Sequence, residues 1–354
     1  MQESLAPLRW GILGTGGIAR GFARDLAGVP GAHLAAVGSR TAASARAFAA
    51  AVSPSFPDVR AHASWADLVA DDDVDAVYVA TPHPWHAAGA LLAVRAGRHV
   101  LVEKPFTMDA QEARDVVAAA RAAGVVCLEA MWTRFLPHTL RLRELVASGA
   151  IGEVVTVSAD HGQWFAQDAA HRLFHPGLGG GALLDLGVYV VSWASMLLGR
   201  PSSVLAASAT AFTGVDAQTS IVLGYQGPPA QAVLTCTLAA ATPRRAFVAG
   251  TEGVIDVDPV FYAPTGFTLR RRNGQVERFD TAAGYASSPG KGLREEAAEV
   301  ARLVAQGKLE SPHLPLDESI SVMETLDEVR RQIGLTYPGA SDRVGARSSH
   351  QSPH

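Results

Sequence analysis

The chain opens with short apolar runs that alternate with stretches of helical spacing. Residues 8–13 are mostly apolar and run into glycines, which predicts a strand and a tight turn. Helical spacing follows at Ile18, Phe22 and Leu26. A second strand is predicted over 34–38 and an alanine-rich helix over 41–51. A third strand covers 74–80, a helix 84–96 and a fourth strand 100–103. The helix predicted over 109–123 opens with Asp109-x-x-Glu112, a spacing that caps a first turn. Apolar strands separated by helices imply a parallel sheet covered on both faces.

The pattern changes near residue 128. A strand over 153–160 and a long helix over 181–199 are followed by strand after strand: 204–212, 219–225, 232–238, 247–249 and 267–271. Asn273-Gly274, between 269–272 and 276–279, has the composition of a hairpin turn. Strands without intervening helices predict an antiparallel sheet. Two helices, 293–306 and 317–333, come last. The expected organisation is α/β: a dinucleotide-binding domain over 1–127 and an α+β domain with a large, mostly antiparallel open sheet over 128–338. A flexible tail is expected over 339–354.

Composition narrows the function classes. The 354 residues include 30 Lys and Arg against 34 Asp and Glu, a formal net charge of −4. No strongly basic face for nucleic acid is implied. Charged residues are 18% and hydrophobic residues 48%, enough for a substantial core. Cys127 and Cys236 make neither a disulfide framework nor a metal-ligand spacing and read as buried small hydrophobes. His83, His86 and His161 lack ligand spacing as well, so no metal is expected. The most apolar stretch, 182–198, is interrupted by Asp185, and residues 1–9 do not read as a signal peptide. A cytoplasmic location and no membrane partner are therefore expected.

Three constellations carry chemistry. Gly14-Thr15-Gly16-Gly17-Ile18-Ala19 fits G-x-G-x-x-A between a strand and a helix. Gly14 permits the turn, Gly16 lets backbone approach a pyrophosphate, and the helix N-terminus at Gly17 and Ile18 supplies N–H groups. The second strand ends Gly38-Ser39-Arg40, with no carboxylate for a ribose 2′-hydroxyl. Ser39 and Arg40 suit a 2′-phosphate, which argues for NADP over NAD. Glu103-Lys104-Pro105 ends a strand at the sheet's carboxyl edge, where such sheets bind ligands. Asp185 and Tyr189, four apart in the long helix, share a face. A tyrosine titrates near 10, so a catalytic phenol requires stabilisation of its phenolate, which a neighbouring lysine provides. Taken alone, Tyr189 also fits a core tyrosine.

Gly14-x-Gly16, Glu103-Lys104-Pro105 and the run from Gly179 through Asp185 to Tyr189 together resemble the glucose–fructose oxidoreductase, inositol dehydrogenase and rhizopine-catabolism family. The stretch from Glu129 to Phe135, together with Glu310-Ser311-Pro312, looks like its dihydrodiol dehydrogenase and NADP-dependent D-xylose 1-dehydrogenase branch. The resemblance implies Lys104 and Tyr189 as catalytic residues and Asp185 beside the substrate. It implies Trp132 and Arg172 on the substrate side, and Thr81, Pro82, His86 and Glu103 near the nucleotide. A polyhydroxylated substrate (an aldose or a cyclic trans-diol) and a homo-oligomer through the open sheet are implied too. A ketose or anhydrosugar reductase, or a non-catalytic NADP-sensing regulator, are the competing readings. One departure is Glu295-Glu296-Ala297, where the branch often has Tyr-Glu-Ala.

Overall fold

The first sheet consists of β1 (Leu8–Leu13), β2 (Ala32–Gly38), β3 (Arg60–His62), β4 (Ala76–Val79), β5 (His99–Glu103) and β6 (Cys127–Ala130). In this computed structural model, which describes residues 7–227, 229–281 and 292–338, all six are parallel, in the order β3-β2-β1-β4-β5-β6. The expected tail over 339–354 lies outside the described residues. The order reverses between β1 and β4, which opens a crevice at their carboxyl ends. Helices α1 (Gly17–Leu26), α2 (Ala42–Val52), α3 (Trp65–Val69), α4 (His86–Arg95) and α5 (Ala110–Ala123) connect the strands.

Side-chain packing fixes α1 on the sheet. Its buried face is Ala19, Phe22, Ala23 and Leu26. The Phe22 ring stacks on Tyr78 of β4 at 3.9 Å between centroids and meets Trp10 of β1 edge-on at 5.3 Å. Burying a side chain of that size is worth ~1.5–3 kcal/mol, and it holds the glycine turn before α1 over the crevice. The Asp109 side chain accepts from the Glu112 backbone N–H at 2.8 Å, and Gly124 ends α5 at φ 65°.

The second sheet contains β7 (Val154–Gly162), β8 (Ser203–Thr210), β9 (Asp216–Tyr225), β10 (Ala230–Thr237), β11 (Ala246–Gly250), β12 (Gly253–Val257), β13 (Gly266–Arg271) and β14 (Val276–Asp280). Its order is β14-β13-β12-β11-β7-β10-β9-β8. Every neighbouring pair is antiparallel except β7 with β10, so the sheet is mixed rather than wholly antiparallel. Asn273-Gly274 does turn the last hairpin, with Gly274 at φ 88°. Helix α6 (Pro137–Ala147) precedes β7, and α7 (Val188–Leu198) packs beneath β7 and β10. Helix α8 (Leu293–Ala305) returns to α1 of the first sheet, where Asp25 accepts from the backbone N–H groups of Gly292 and Leu293. Helix α9 (Leu316–Ile333) lies against α5, α7 and β8.

Several elements were not legible in the periodicity. Strand β3 has three residues and is largely exposed, so it shows no alternation. Helices α3 and α6 and strands β6 and β12 were also missed. The helix expected over 181–199 begins as a π-turn, Leu183–Gly187, before α7. The stretch Pro176–Leu198 is long and apolar enough to cross a membrane, yet 83% of its most apolar window is buried inside the protein. Cys127 and Cys236 are buried free thiols.

Glu129 at the end of β6 is fully buried, and its Oε2 accepts from Ser319 Oγ at 2.7 Å. Burial pushes its pKa up to about 7, against the pull of Ser319 and Arg134. The folded carboxyl thus keeps a proton that the unfolded chain releases near ~4.3. Its contribution is full below that value and is lost as pH rises toward 7. Glu129→Gln does not titrate, so relative to wild type it should gain stability between pH 4.5 and 8. At ~1.4 kcal/mol per unit the gain is at most about 3 kcal/mol, read from denaturant unfolding at several pH values.

Candidate functional site

One sheet edge, a π-turn and the helix that continues it meet at Asp185. Strand β5 ends at Glu103 and delivers Lys104, while the π-turn presents Asp185 and the first turn of α7 presents Tyr189. Lys104 Nζ donates to the Asp185 carbonyl at 2.8 Å and to its Oδ1 at 3.2 Å. A π-turn leaves such a carbonyl open to an outside donor. Arg172 Nη1 donates to the same Oδ1 at 2.9 Å, and His83 Nε2 stands 3.7 Å from it. Burial alone would neutralise Asp185, but Lys104 and Arg172 hold it ionised, well below the usual carboxylate range. His83 gives its Nδ1 hydrogen to the Gly179 carbonyl at 3.0 Å; burial pushes its pKa down to about 3, so the ring is neutral.

Tyr189 is 8% exposed. Trp132 Nε1–H donates to its hydroxyl oxygen at 2.9 Å. Lys104 Nζ lies over the ring, 4.7 Å from its centroid, rather than at the hydroxyl. The expected lowering of the phenol by Lys104 is not what the site produces. Burial first, and then the negative field of Glu103, push the phenol well above 10, against the hydrogen bond from Trp132. Tyr189 is therefore in its acid form at neutral pH. Glu103 itself is buried; Tyr78 donates to one oxygen and the Lys104 backbone N–H to the other at 3.1 Å.

The nucleotide side begins at Gly14, whose φ is +111° and where a Cβ would stand 2.5 Å from the Ala80 carbonyl oxygen. This close approach brings β1 against the end of β4. Gly16 and Gly17 face open space: a Cβ on either would meet nothing within 4 Å. No side chain caps the first turn of α1, Ile18 is exposed, and the buried Thr81 Oγ1 has no partner. Open N–H groups and one orphaned hydroxyl fit a pyrophosphate-bearing cofactor. Ser39 is buried at the end of β2, and the exposed Arg40 guanidinium sits 5.7 Å from the Trp85 ring centroid. Pro82 is exposed in the loop after β4. His86 is different: its ring nitrogens lie 2.7 and 2.8 Å from the Pro105 and Thr81 carbonyls at 1% exposure. Its action on a nucleotide would pass through the loops it ties together.

Several residues here had no signal in the sequence. His161, at the end of β7, stacks on Tyr262 at 3.9 Å and meets Tyr189 edge-on at 5.0 Å. Gln163 Nε2 donates to His161 Nε2 at 2.9 Å. Tyr262 is in the loop between β12 and β13, which carries Val260 at φ 63°, and the Phe261 N–H donates at 3.0 Å to the carbonyl of Arg244, itself at φ 54° in the loop before β11. The single signal that could have found this loop is Phe261-Tyr262 between prolines, at Asp258-Pro259 and Pro264. Of the departing Glu295-Glu296-Ala297, Glu295 pairs with Arg294, whereas Glu296 is buried and burial pushes its carboxyl well up. Among the described residues, no cluster of His, Cys, Asp and Glu could hold a metal.

Comparison with known proteins bears on this geometry. Residues 8–131 match the oxidoreductase family with an NAD-binding Rossmann fold, and residues 139–256 the GFO/IDH/MocA C-terminal domain. The D-xylose 1-dehydrogenase (NADP(+)) of Hypocrea jecorina is 35% identical, over 94% of this chain and 93% of that protein. The trans-1,2-dihydrobenzene-1,2-diol dehydrogenase of Danio rerio is 36% identical, over 93% and 98%. Among solved structures, the aldose-aldose oxidoreductase of Caulobacter crescentus superposes with a TM-score of 0.80 at 25% identity, covering 92% of this chain and 97% of that one.

Proposed function

Because this chain belongs to the GFO/IDH/MocA oxidoreductase family, we propose that it transfers a hydride between NADP and a carbinol carbon of an aldose or cyclic trans-diol. The observation that carries this reading is the single cluster in which Lys104, Asp185, Arg172, Trp132 and Tyr189 meet at the carboxyl edge of the first sheet. Glycines 14, 16 and 17, Ile18, Thr81 and Pro82 would hold the cofactor, which, when bound, supplies the hydride acceptor or donor.

The residues of the chain supply the rest. Tyr189 Oη holds its proton at neutral pH and gives it to a substrate carbonyl oxygen in reduction; oxidation is the reverse, in which the phenol first loses its proton to solvent and the phenolate then takes the proton of the carbinol. The Trp132 N–H stabilises the oxygen when it carries charge. Lys104 and Arg172 keep Asp185 an acceptor-only carboxylate, suited to orient substrate hydroxyls. A sensor needs no such acid, which disfavours the regulatory reading.

Arg40 tests the cofactor assignment. A guanidinium on a 2′-phosphate contributes ~1.5–3 kcal/mol. Arg40→Ala should raise KM for NADP⁺ by about 10–100-fold and leave KM for NAD⁺ nearly unchanged, read at 340 nm. An equal effect on both would remove Arg40 from 2′-phosphate recognition. The substrate class is read in the same assay by offering D-xylose, D-glucose and a trans-dihydrodiol in turn. Silence with all three would contradict it.

Self-association is part of this reading. Leu205, Val222, Val233 and Phe247 are in register across the second sheet, broken only by Ser158, and Leu205 and Val233 are exposed. An apolar row of this kind fits a second copy of the chain, and a monomer mass by light scattering would remove it. With two buried free thiols, a reducing cytoplasm suits the protein.

A further inference from the structure

The three glycines before the π-turn each face an obstruction. A Cβ at Gly179 (φ +68°) would stand 2.9 Å from Met108 Sδ, and one at Gly180 would be 2.7 Å from the Leu173 carbonyl oxygen. A Cβ at Gly181 (φ +114°) would meet Asp216 Oδ1 at 2.1 Å. The run is therefore closely packed at each of its three positions, against backbone at Gly180 and against side chains at Gly179 and Gly181. Tyr337 Oη donates to the Gly180 carbonyl at 2.6 Å, and His83 holds the Gly179 carbonyl.

Asp216, the first residue of β9, is 33 positions from the turn it touches. It is 3% exposed. Its Oδ2 accepts the Leu183 backbone N–H at 2.8 Å and the Thr219 hydroxyl at 2.8 Å. Leu183 opens the π-turn and is the first residue after Ala182 to need an outside acceptor there. Among the described residues, this carboxyl has no ion pair. A buried acid without a counter-ion is costly, so a partner that offsets it is required; the Leu183 N–H and the Thr219 hydroxyl fill that role at Oδ2, while Oδ1 is buried without a hydrogen-bond partner. The same turn exposes the Asp185 carbonyl to Lys104 and sets the phase in which Tyr189 follows four residues later.

We infer that Asp216 is a positioning residue for the reaction: by binding the Leu183 N–H it fixes the π-turn that places Asp185 and Tyr189 against Lys104. It touches neither substrate nor cofactor and acts through the turn. The inference rests on the reading above, in which Tyr189 is the acid.

The test compares Asp216→Ala, Asp216→Asn and Thr219→Val with wild type in the steady state, with NADP⁺ affinity measured separately by tryptophan fluorescence quenching. Misplacing reacting groups by a fraction of an ångström typically costs tenfold or more. Asp216→Ala should lower kcat at least about tenfold and leave NADP⁺ affinity unchanged. Asp216→Asn retains a carbonyl acceptor for Leu183 and should recover kcat to within about threefold of wild type. A kcat untouched in Asp216→Ala, or an Asn variant as impaired as the Ala variant, would overturn the inference. If Asp216→Ala does not fold, Thr219→Val decides: it loosens the carboxylate, and kcat should fall several-fold at constant NADP⁺ affinity. Wild-type turnover in that variant would overturn the inference. Tyr189→Phe, assayed in parallel, separates the two claims. Retained turnover there contradicts the reading of the site, whereas an enzyme that needs Tyr189 but ignores Asp216 contradicts only this inference.

Discussion

Tyr189→Phe should lose about 10²–10⁴-fold in kcat while binding NADP as tightly as wild type. The magnitude is that of removing a positioned proton donor. The geometry explains why the loss should fall on kcat. The ring of Tyr189 packs against His161 and Tyr262 and stands under Lys104, and phenylalanine preserves all of those contacts. Only the hydroxyl disappears, and with it the acceptor of the Trp132 N–H. An unsatisfied buried donor costs ~1–3 kcal/mol, so a small fall in Tm should accompany the loss of turnover. Turnover within a few-fold of wild type, at saturating substrate, would remove Tyr189 from the chemistry.

Lys104→Met is expected to be nearly as severe, for a different reason. Methionine fills much of the same space without the ammonium. Asp185 then loses one of its two cations and its carbonyl loses its donor, while the remaining cation, Arg172, has a side chain 53% exposed. Stripping one partner from a buried ion pair costs ~3–5 kcal/mol. For Asp185 this means a pKa that climbs back toward the ordinary carboxylate range. The expected result is a kcat lower by about 10²–10³-fold and a Tm several degrees lower. A thermal melt and a pH profile of kcat check both. Wild-type Tm with unimpaired turnover would contradict the ion cluster as the organiser of the site.

Much of this site was legible because its determinants are local. The glycine turn, the strand ending in Glu103-Lys104 and the Asp185–Tyr189 spacing each lie within a few residues of sequence. Their physical reasons are short-range too: a positive φ at Gly14, a strand end, and two positions on one helix face. What was not legible is set by long-range contact. Trp132 reaches Tyr189 across 57 positions, and Thr133 fixes the Tyr262 loop across 129. Neither leaves a periodic trace. Lys104 was expected to lower the phenol, and proximity alone supports that. The opposite outcome follows from burial and from Glu103, whose ranking against the lysine depends on three-dimensional placement. The π-turn was likewise invisible, because a helical pattern reads the same across one widened turn.

The same logic applies to the second sheet. Its strands were read mainly from alternation and its hairpin from Asn273-Gly274, and both are present. The parallel pairing of β7 with β10 joins strands separated in the chain by α7, β8 and β9, a return that strand patterns do not encode.

The central claim is hydride transfer to NADP⁺ with Tyr189 as its acid and base. The measurement that tests it most directly is the fate of deuterium from C1 of labelled D-xylose, followed by mass spectrometry of the recovered nicotinamide nucleotide. The account predicts one deuterium in NADPH, formed by the wild type and suppressed by about 10²-fold or more in Tyr189→Phe. NADPH that carries no label, or equal label formation by the two proteins, would contradict it.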